Sequence, residues 1–61
     1  MIVIKDLTER DKDRLVIYKS GYSLSEEGIL TNWNDSYIFV RYGVDKGSKA
    51  TRPEDLDFSL K

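Results

Sequence analysis

Residues 27–42 read Glu27-Gly28-Ile29-Leu30-Thr31-Asn32-Trp33-Asn34-Asp35-Ser36-Tyr37-Ile38-Phe39-Val40-Arg41-Tyr42. Two runs rich in β-branched and aromatic residues flank a short polar break, which is the pattern of a β-hairpin. Asn34-Asp35 reads as a two-residue turn, since both residue types tolerate positive φ. Alternation then places Ile38, Val40 and Tyr42 on one face and Tyr37, Phe39 and Arg41 on the other. On the preceding strand, Ile29, Thr31 and Trp33 oppose Gly28, Leu30 and Asn32.

Working outward, Leu15-Val16-Ile17-Tyr18 is another β-prone run, and Lys19 to Glu26, with Gly21 and three serines, reads as a loop. Gly43 to Gly47 reads as a turn, and Ser48 to Arg52 as a weak edge strand. Pro53 fixes φ and starts a single 3₁₀ turn over Glu54-Asp55. Leu56-Asp57-Phe58 is a last short strand. Upstream, Ile2–Ile4 is a short β-prone run. Thr8 is placed to cap one helical turn over Glu9–Lys12. A long helix is excluded there, because Leu7 is the only apolar residue between Asp6 and Asp13. The expected fold class is all-β: a single domain over residues 1–61, built as a small five-stranded barrel with a 3₁₀ turn before its last strand. The alternative is an open three-stranded meander that dimerises through its edge. The expected core is Val16, Tyr18, Leu30, Ile38, Val40, Leu56 and Phe58.

A chain of 61 residues buries only about 60% of the surface its unfolded form exposes, so the core is small. With no Cys and no His, neither disulfides nor a zinc site of the usual kind reinforces it. The same absence removes the commonest general base and the best nucleophile, and a self-filled barrel offers no catalytic cleft. The expectation is a protein that is not an enzyme and uses no cofactor or metal. Asp6, Glu9, Asp11 and Asp13 alternate with Lys5, Arg10, Lys12 and Arg14, which is a solvated turn rather than a calcium loop. Gly47 is followed by Ser48-Lys49 and not by the Lys-Ser/Thr of a phosphate-binding loop. The apolar run at the N-terminus is too short for a signal peptide or a membrane span. A complete cytosolic protein is expected.

Net charge is −1 with 34% charged residues, a mixed surface rather than a nucleic-acid-binding composition. Arg41, Lys46, Lys49 and Arg52 nevertheless form a local basic strip between acidic segments. With the core assigned as above, Trp33, Tyr37, Phe39 and Arg41, with Tyr22 nearby, remain as a partly exposed cluster. Trp, Tyr and Arg dominate interface hot spots, so this cluster is the candidate partner-binding face. In the competing reading the same rings cap the barrel or fill a second small core under the loop at 19–26.

Residues 27–35, with Phe39-Val40-Arg41-Tyr42-Gly43 and Ala50-Thr51-Arg52-Pro53-Glu54-Asp55-Leu56, resemble small uncharacterised proteins encoded by bacteriophages and prophages. Leu7-Thr8-Glu9 and Val16-Ile17-Tyr18 fit the same pattern. The likeness runs from about Leu7 to Phe58. More loosely, the chain is similar to Src homology 3-like barrels of the KOW and Tudor type. The resemblance implies such a barrel and a phage origin, hence a bacterial cytoplasm. It implies no site residues. The expected function is a protein-protein interaction module, with an unidentified protein as partner. The alternatives are a nucleic-acid-binding module using Arg41, Lys46, Lys49 and Arg52 beside the surface aromatics, and a minor structural or assembly protein of a virion. No membrane partner is expected.

Overall fold

The computed structural model describes residues 1–19, 25–43 and 46–59. Five antiparallel strands make one sheet: β1 (Leu15–Lys19), β2 (Ser25–Trp33), β3 (Ile38–Tyr42), β4 (Lys49–Thr51) and β5 (Leu56–Phe58). Their order is β4-β3-β2-β1-β5. The chain thus runs as a meander through β4, and β5 then returns to pair with β1, placing Val16 opposite Phe58 and Tyr18 opposite Leu56. Between the described strands, hydrogen bonding does not join β4 to β5, so the sheet is not closed. The weak strand expected near Lys49 is indeed at an edge. The 3₁₀ turn spans Pro53–Asp55, with proline in its first turn and a backbone bond from Asp55 N–H to the Arg52 carbonyl (3.1 Å). No helix among the described residues is long and apolar enough to cross a membrane.

One face of the sheet carries the core. Val16, Leu30, Ile38, Val40 and Leu56 are fully buried there, and each contributes roughly 1.5–3 kcal/mol by leaving water. Tyr42 and Ile2 join them. Neither belonged to the expected core, while Tyr18 and Phe58, which did, are only partly buried and pack against its margin. Ile2 is not part of a strand. Its N–H makes one bond to the Pro53 carbonyl (3.0 Å), and the side chain plugs the core. The chain then tightens into a 3₁₀ turn at Ile4–Asp6. A β-prone sequence therefore lacks a ladder, because among the described residues only one backbone bond reaches a neighbouring segment.

The single helical turn expected after Thr8 is present as a 3₁₀ turn, Glu9–Asp11, with Thr8 at its N-cap. Its start is held from the far end: the Thr8 N–H donates to Asp11 Oδ2 (2.9 Å), while the Thr8 hydroxyl is 3.5 Å from that oxygen. Arg14 Nη1 donates to the other carboxylate oxygen of Asp11 (2.9 Å). Asp13 has φ +71°, and its N–H donates to the Leu30 carbonyl (2.8 Å) as the chain enters β1.

Two features of the β2–β3 hairpin differ from the expected one. Register runs Leu30 opposite Val40 and then Asn32 opposite Phe39, so Thr31 is an extra residue, a β-bulge. Its hydroxyl donates to the Phe39 carbonyl (3.0 Å). The bulge shifts the alternation by one residue, and Trp33, opposite Ile38, lands on the core side, where it is half-buried. Strict alternation had assigned it to the opposite face. The connection is also longer than two residues, because β2 ends at Trp33 and β3 begins at Ile38. Neither Asn34 nor Asp35 has positive φ. Instead, Asn34 Oδ1 accepts from the N–H groups of Ser36 (2.8 Å) and Tyr37 (2.7 Å), an Asx-type turn.

Candidate ligand-binding groove

The core-side stripes of β1 and β3 both end in tyrosine: Val16 is followed by Tyr18, and Ile38 and Val40 by Tyr42. Where they end, an open groove of about 490 Å³ crosses the sheet toward β4 and the Pro53–Asp55 turn. Tyr18 and Tyr42 meet edge to face, with ring centroids 6.2 Å apart and planes at 72°, a favourable quadrupole arrangement.

Gly28 makes this possible. It lies opposite both Val16 and Tyr42. A Cβ at Gly28 would come within 2.5 Å of Val40 Cγ1 and 2.9 Å of Tyr42 Cδ1. The Tyr42 ring therefore occupies space that any other residue would fill. Its hydroxyl is 2.9 Å from Thr51 Oγ1 on β4, so the hydroxyl of Thr51, itself buried, is satisfied. Burial raises the Tyr42 pKa above 10.0, and the nearby Glu26 charge adds to this, against the opposing Thr51 bond.

Tyr37 stands at the rim and is 44% exposed, fixed there by the Asn34 turn. Glu26, on the Tyr18 register position of β2, and Asp55, closing the 3₁₀ turn, add two carboxylates. Lys49 and Arg52 line the β4 side. Such a surface can stack against planar or aliphatic groups, hydrogen-bond through tyrosine hydroxyls, and meet charge of either sign. Among the described residues no group of three or more His, Cys, Asp or Glu side chains is placed to hold a metal ion.

The expected aromatic cluster is divided by the fold. Tyr37 lines the groove. Trp33 faces the core, with Lys12 Nζ 5.7 Å from its ring centroid. Phe39 and Arg41 are on the opposite, outer face, beside Asn32 and Ile29 respectively. Tyr22 lies outside the described residues. The basic strip is divided as well: Lys49 and Arg52 reach the groove, Arg41 is on the outer face, and Lys46 is exposed in the turn. Tyr18, Tyr42, Glu26, Thr51 and Asp55 were not anticipated as site residues. A core stripe that ends in tyrosine rather than an aliphatic residue, in the two strands that flank β2, was the available signal.

Compared with protein-family models, curated proteins and solved structures, the chain matches none.

Proposed function

We propose that this chain is a non-enzymatic protein-protein interaction module, a small Src homology 3-like (Tudor/KOW-like) barrel that binds a segment of a partner protein along the tyrosine-lined groove. The observation that carries the reading is the groove itself. Tyrosine rings and charged side chains border about 490 Å³ of open space at the margin of an otherwise filled core, and such convergent surfaces are where ligands bind. The strand order, with a 3₁₀ turn before a last strand that pairs with β1, supports the barrel class. A bacteriophage or prophage origin, and with it a bacterial cytoplasm, rests on the sequence resemblance alone.

A nucleic-acid interface is less well supported. Arg41 is turned away from Lys49 and Arg52, and Glu26 and Asp55 border the same groove, where they repel phosphate within a Debye length of about 10 Å. The test is site-specific photo-crosslinking in the cells that express the protein. A benzoylphenylalanine in place of Tyr37 should capture a polypeptide, and the same group in place of Leu15 on the outer face should not. Capture of nucleic acid at position 37, or equal capture at both positions, would overturn the reading.

A further inference from the structure

The sheet has two outer strands, β5 and β4, and they are covered unequally. Along β5 every residue is buried or half-buried, the Leu56 N–H is bonded to the Pro53 carbonyl, and the Met1 ammonium pairs with Asp57. Along β4, Lys49 and Ala50 are exposed. Which backbone groups β4 turns outward follows from the register. The Leu30 N–H donates to the Arg14 carbonyl (3.0 Å), and the Leu30 carbonyl accepts from the Asp13 N–H (2.8 Å), so Leu30 turns both groups toward β1. In an antiparallel ladder successive residues bond to opposite sides. Ile29 therefore bonds to its β3 partner Arg41, whose carbonyl oxygen is the backbone neighbour of a Cβ at Gly28 (3.0 Å). Ile38 and Val40 then turn to β4 and bond with Thr51 and Lys49. Ala50, between those two, is left with its N–H and C=O pointing out of the sheet. Arg52 is still extended (φ −66°, ψ 131°) and repeats that direction; its carbonyl accepts from Asp55 (3.1 Å), and its N–H remains. Among the described residues nothing bonds to these three groups. The same edge borders the groove, which Lys49, Ala50, Thr51 and Arg52 all line.

We propose that the partner segment is held by its main chain, as a sixth strand added to β4, bonded to the Ala50 N–H and C=O and to the Arg52 N–H. This rests on the protein-interaction reading above and says how the segment lies in the groove. A donor, an acceptor and a second donor along one extended line, with roughly 6.8 Å between Ala50 and Arg52, match the alternating groups of another extended polypeptide. Strand addition of this kind takes its affinity from main-chain bonds and its specificity from alternate side chains. Thr51 is on the core side, opposite Ile38, so every second side chain of the added segment lies on the side of Tyr37 and Tyr42. A second copy of this chain is the poorer occupant, because pairing β4 with itself brings Lys49 and Arg52 alongside the same cations, a common device against self-pairing.

The experiment selects binders to the full chain from a displayed library of random linear peptides. The best peptide is then made unmodified and N-methylated at alternate residues in each of the two phases. An added strand turns only every second N–H toward β4, so one phase should lose affinity about tenfold or more and the other should bind nearly as the parent does. NMR should show slowed exchange of the Ala50 and Arg52 amides with the parent peptide. Ala50→Pro removes an outward N–H, so the protein should keep its fold and lose the peptide about tenfold or more. Thr51→Pro removes a bond to β3 and should unfold the chain. Unfolding by Ala50→Pro would overturn the proposal, since its N–H would then belong to the ladder. Equal effects of the two methylation phases, or undiminished binding to a folded Ala50→Pro, would overturn the added strand and leave the groove a protein-binding site. A dimer that forms without peptide and is lost in Ala50→Pro would assign the edge to a second copy and overturn it too. No selected peptide overturns it as well, and crosslinking from position 37 then decides separately whether the groove meets a protein.

Discussion

Asn34 and Tyr37 are joined in both directions: the Asn34 N–H donates to the Tyr37 carbonyl (2.9 Å), and the Tyr37 N–H donates to Asn34 Oδ1 (2.7 Å). The side chain thus substitutes for a backbone acceptor, closes the four-residue connection and presents Tyr37 at the groove rim. Asn34→Asp keeps the acceptor and should be nearly neutral. Asn34→Gly loses it and should cost about 1–2 kcal/mol, since two backbone donors lose their partner. Urea unfolding of the two variants measures the difference. Equal stability would show that the side-chain bonds contribute nothing.

Gly28→Ala should destabilise by about 1–3 kcal/mol, the usual cost of overfilling a packed site. The added methyl meets Val40 Cγ1 at 2.5 Å and the Arg41 carbonyl oxygen at 3.0 Å, and the second neighbour is backbone. Gly28→Ala combined with Val40→Ala should recover part of the loss. Thermal unfolding of both variants is sufficient to check this.

Trp33→Ala should cost roughly 2 kcal/mol or more, because the ring packs against the core, whereas Phe39→Ser on the outer face should cost less. Near-equal losses from chemical denaturation would return Trp33 to the surface.

Asp11 gives the acid limb of stability. The Thr8 N–H first, and then Arg14, hold its carboxyl below 3.8. A depressed native pKa contributes stability that is present above the unfolded value and lost as pH falls through the native one. Unfolding midpoints should therefore drop as pH falls below about 4, and the drop should be smaller in Asp11→Asn. Parallel pH profiles for the two proteins would refute this.

Tyr42 gives the alkaline limb with the opposite sign. Its pKa is raised above 10.0 by burial, so the associated stability is complete below that value and is lost as pH rises toward the native pKa. Tyr42→Phe should flatten this loss, and ultraviolet titration should show that a tyrosinate step above pH 10 has disappeared.

β1, β2 and β3 were legible as runs of β-branched and aromatic residues, β4 only as a weak edge run and β5 as a short apolar-polar-aromatic run, and Pro53 marks its turn without ambiguity. Leu30, Ile38 and Val40 were assigned to the core for the same reason. Thr31 was not recognisable as a bulge, since threonine is as favourable in a regular strand as at an irregularity. That one residue moves Trp33 out of the expected binding face and onto the core side. The Asn34 turn was misread because asparagine serves equally well by adopting positive φ or by bonding its neighbours' N–H groups, and sequence does not distinguish the two. Ile2 reads as strand-forming, yet its role is fixed by the Pro53 carbonyl, some fifty residues away. The groove was missed because Tyr18 was assigned to the core and Tyr42 was given no role beyond its face of the strand.

Thr31 also sets where this chain tolerates a change of length. Removing a residue from the middle of a strand ordinarily turns every later side chain inside out. At Thr31 the extra residue already stands outside the count: without it, Leu30, Asn32 and Trp33 would fall on the faces they now occupy, in an uninterrupted ladder. The hairpin would lose its bend and the bond to the Phe39 carbonyl, but not its sidedness. In a lineage of such proteins, this is the point at which β2 can become one residue shorter while its apolar message remains in phase.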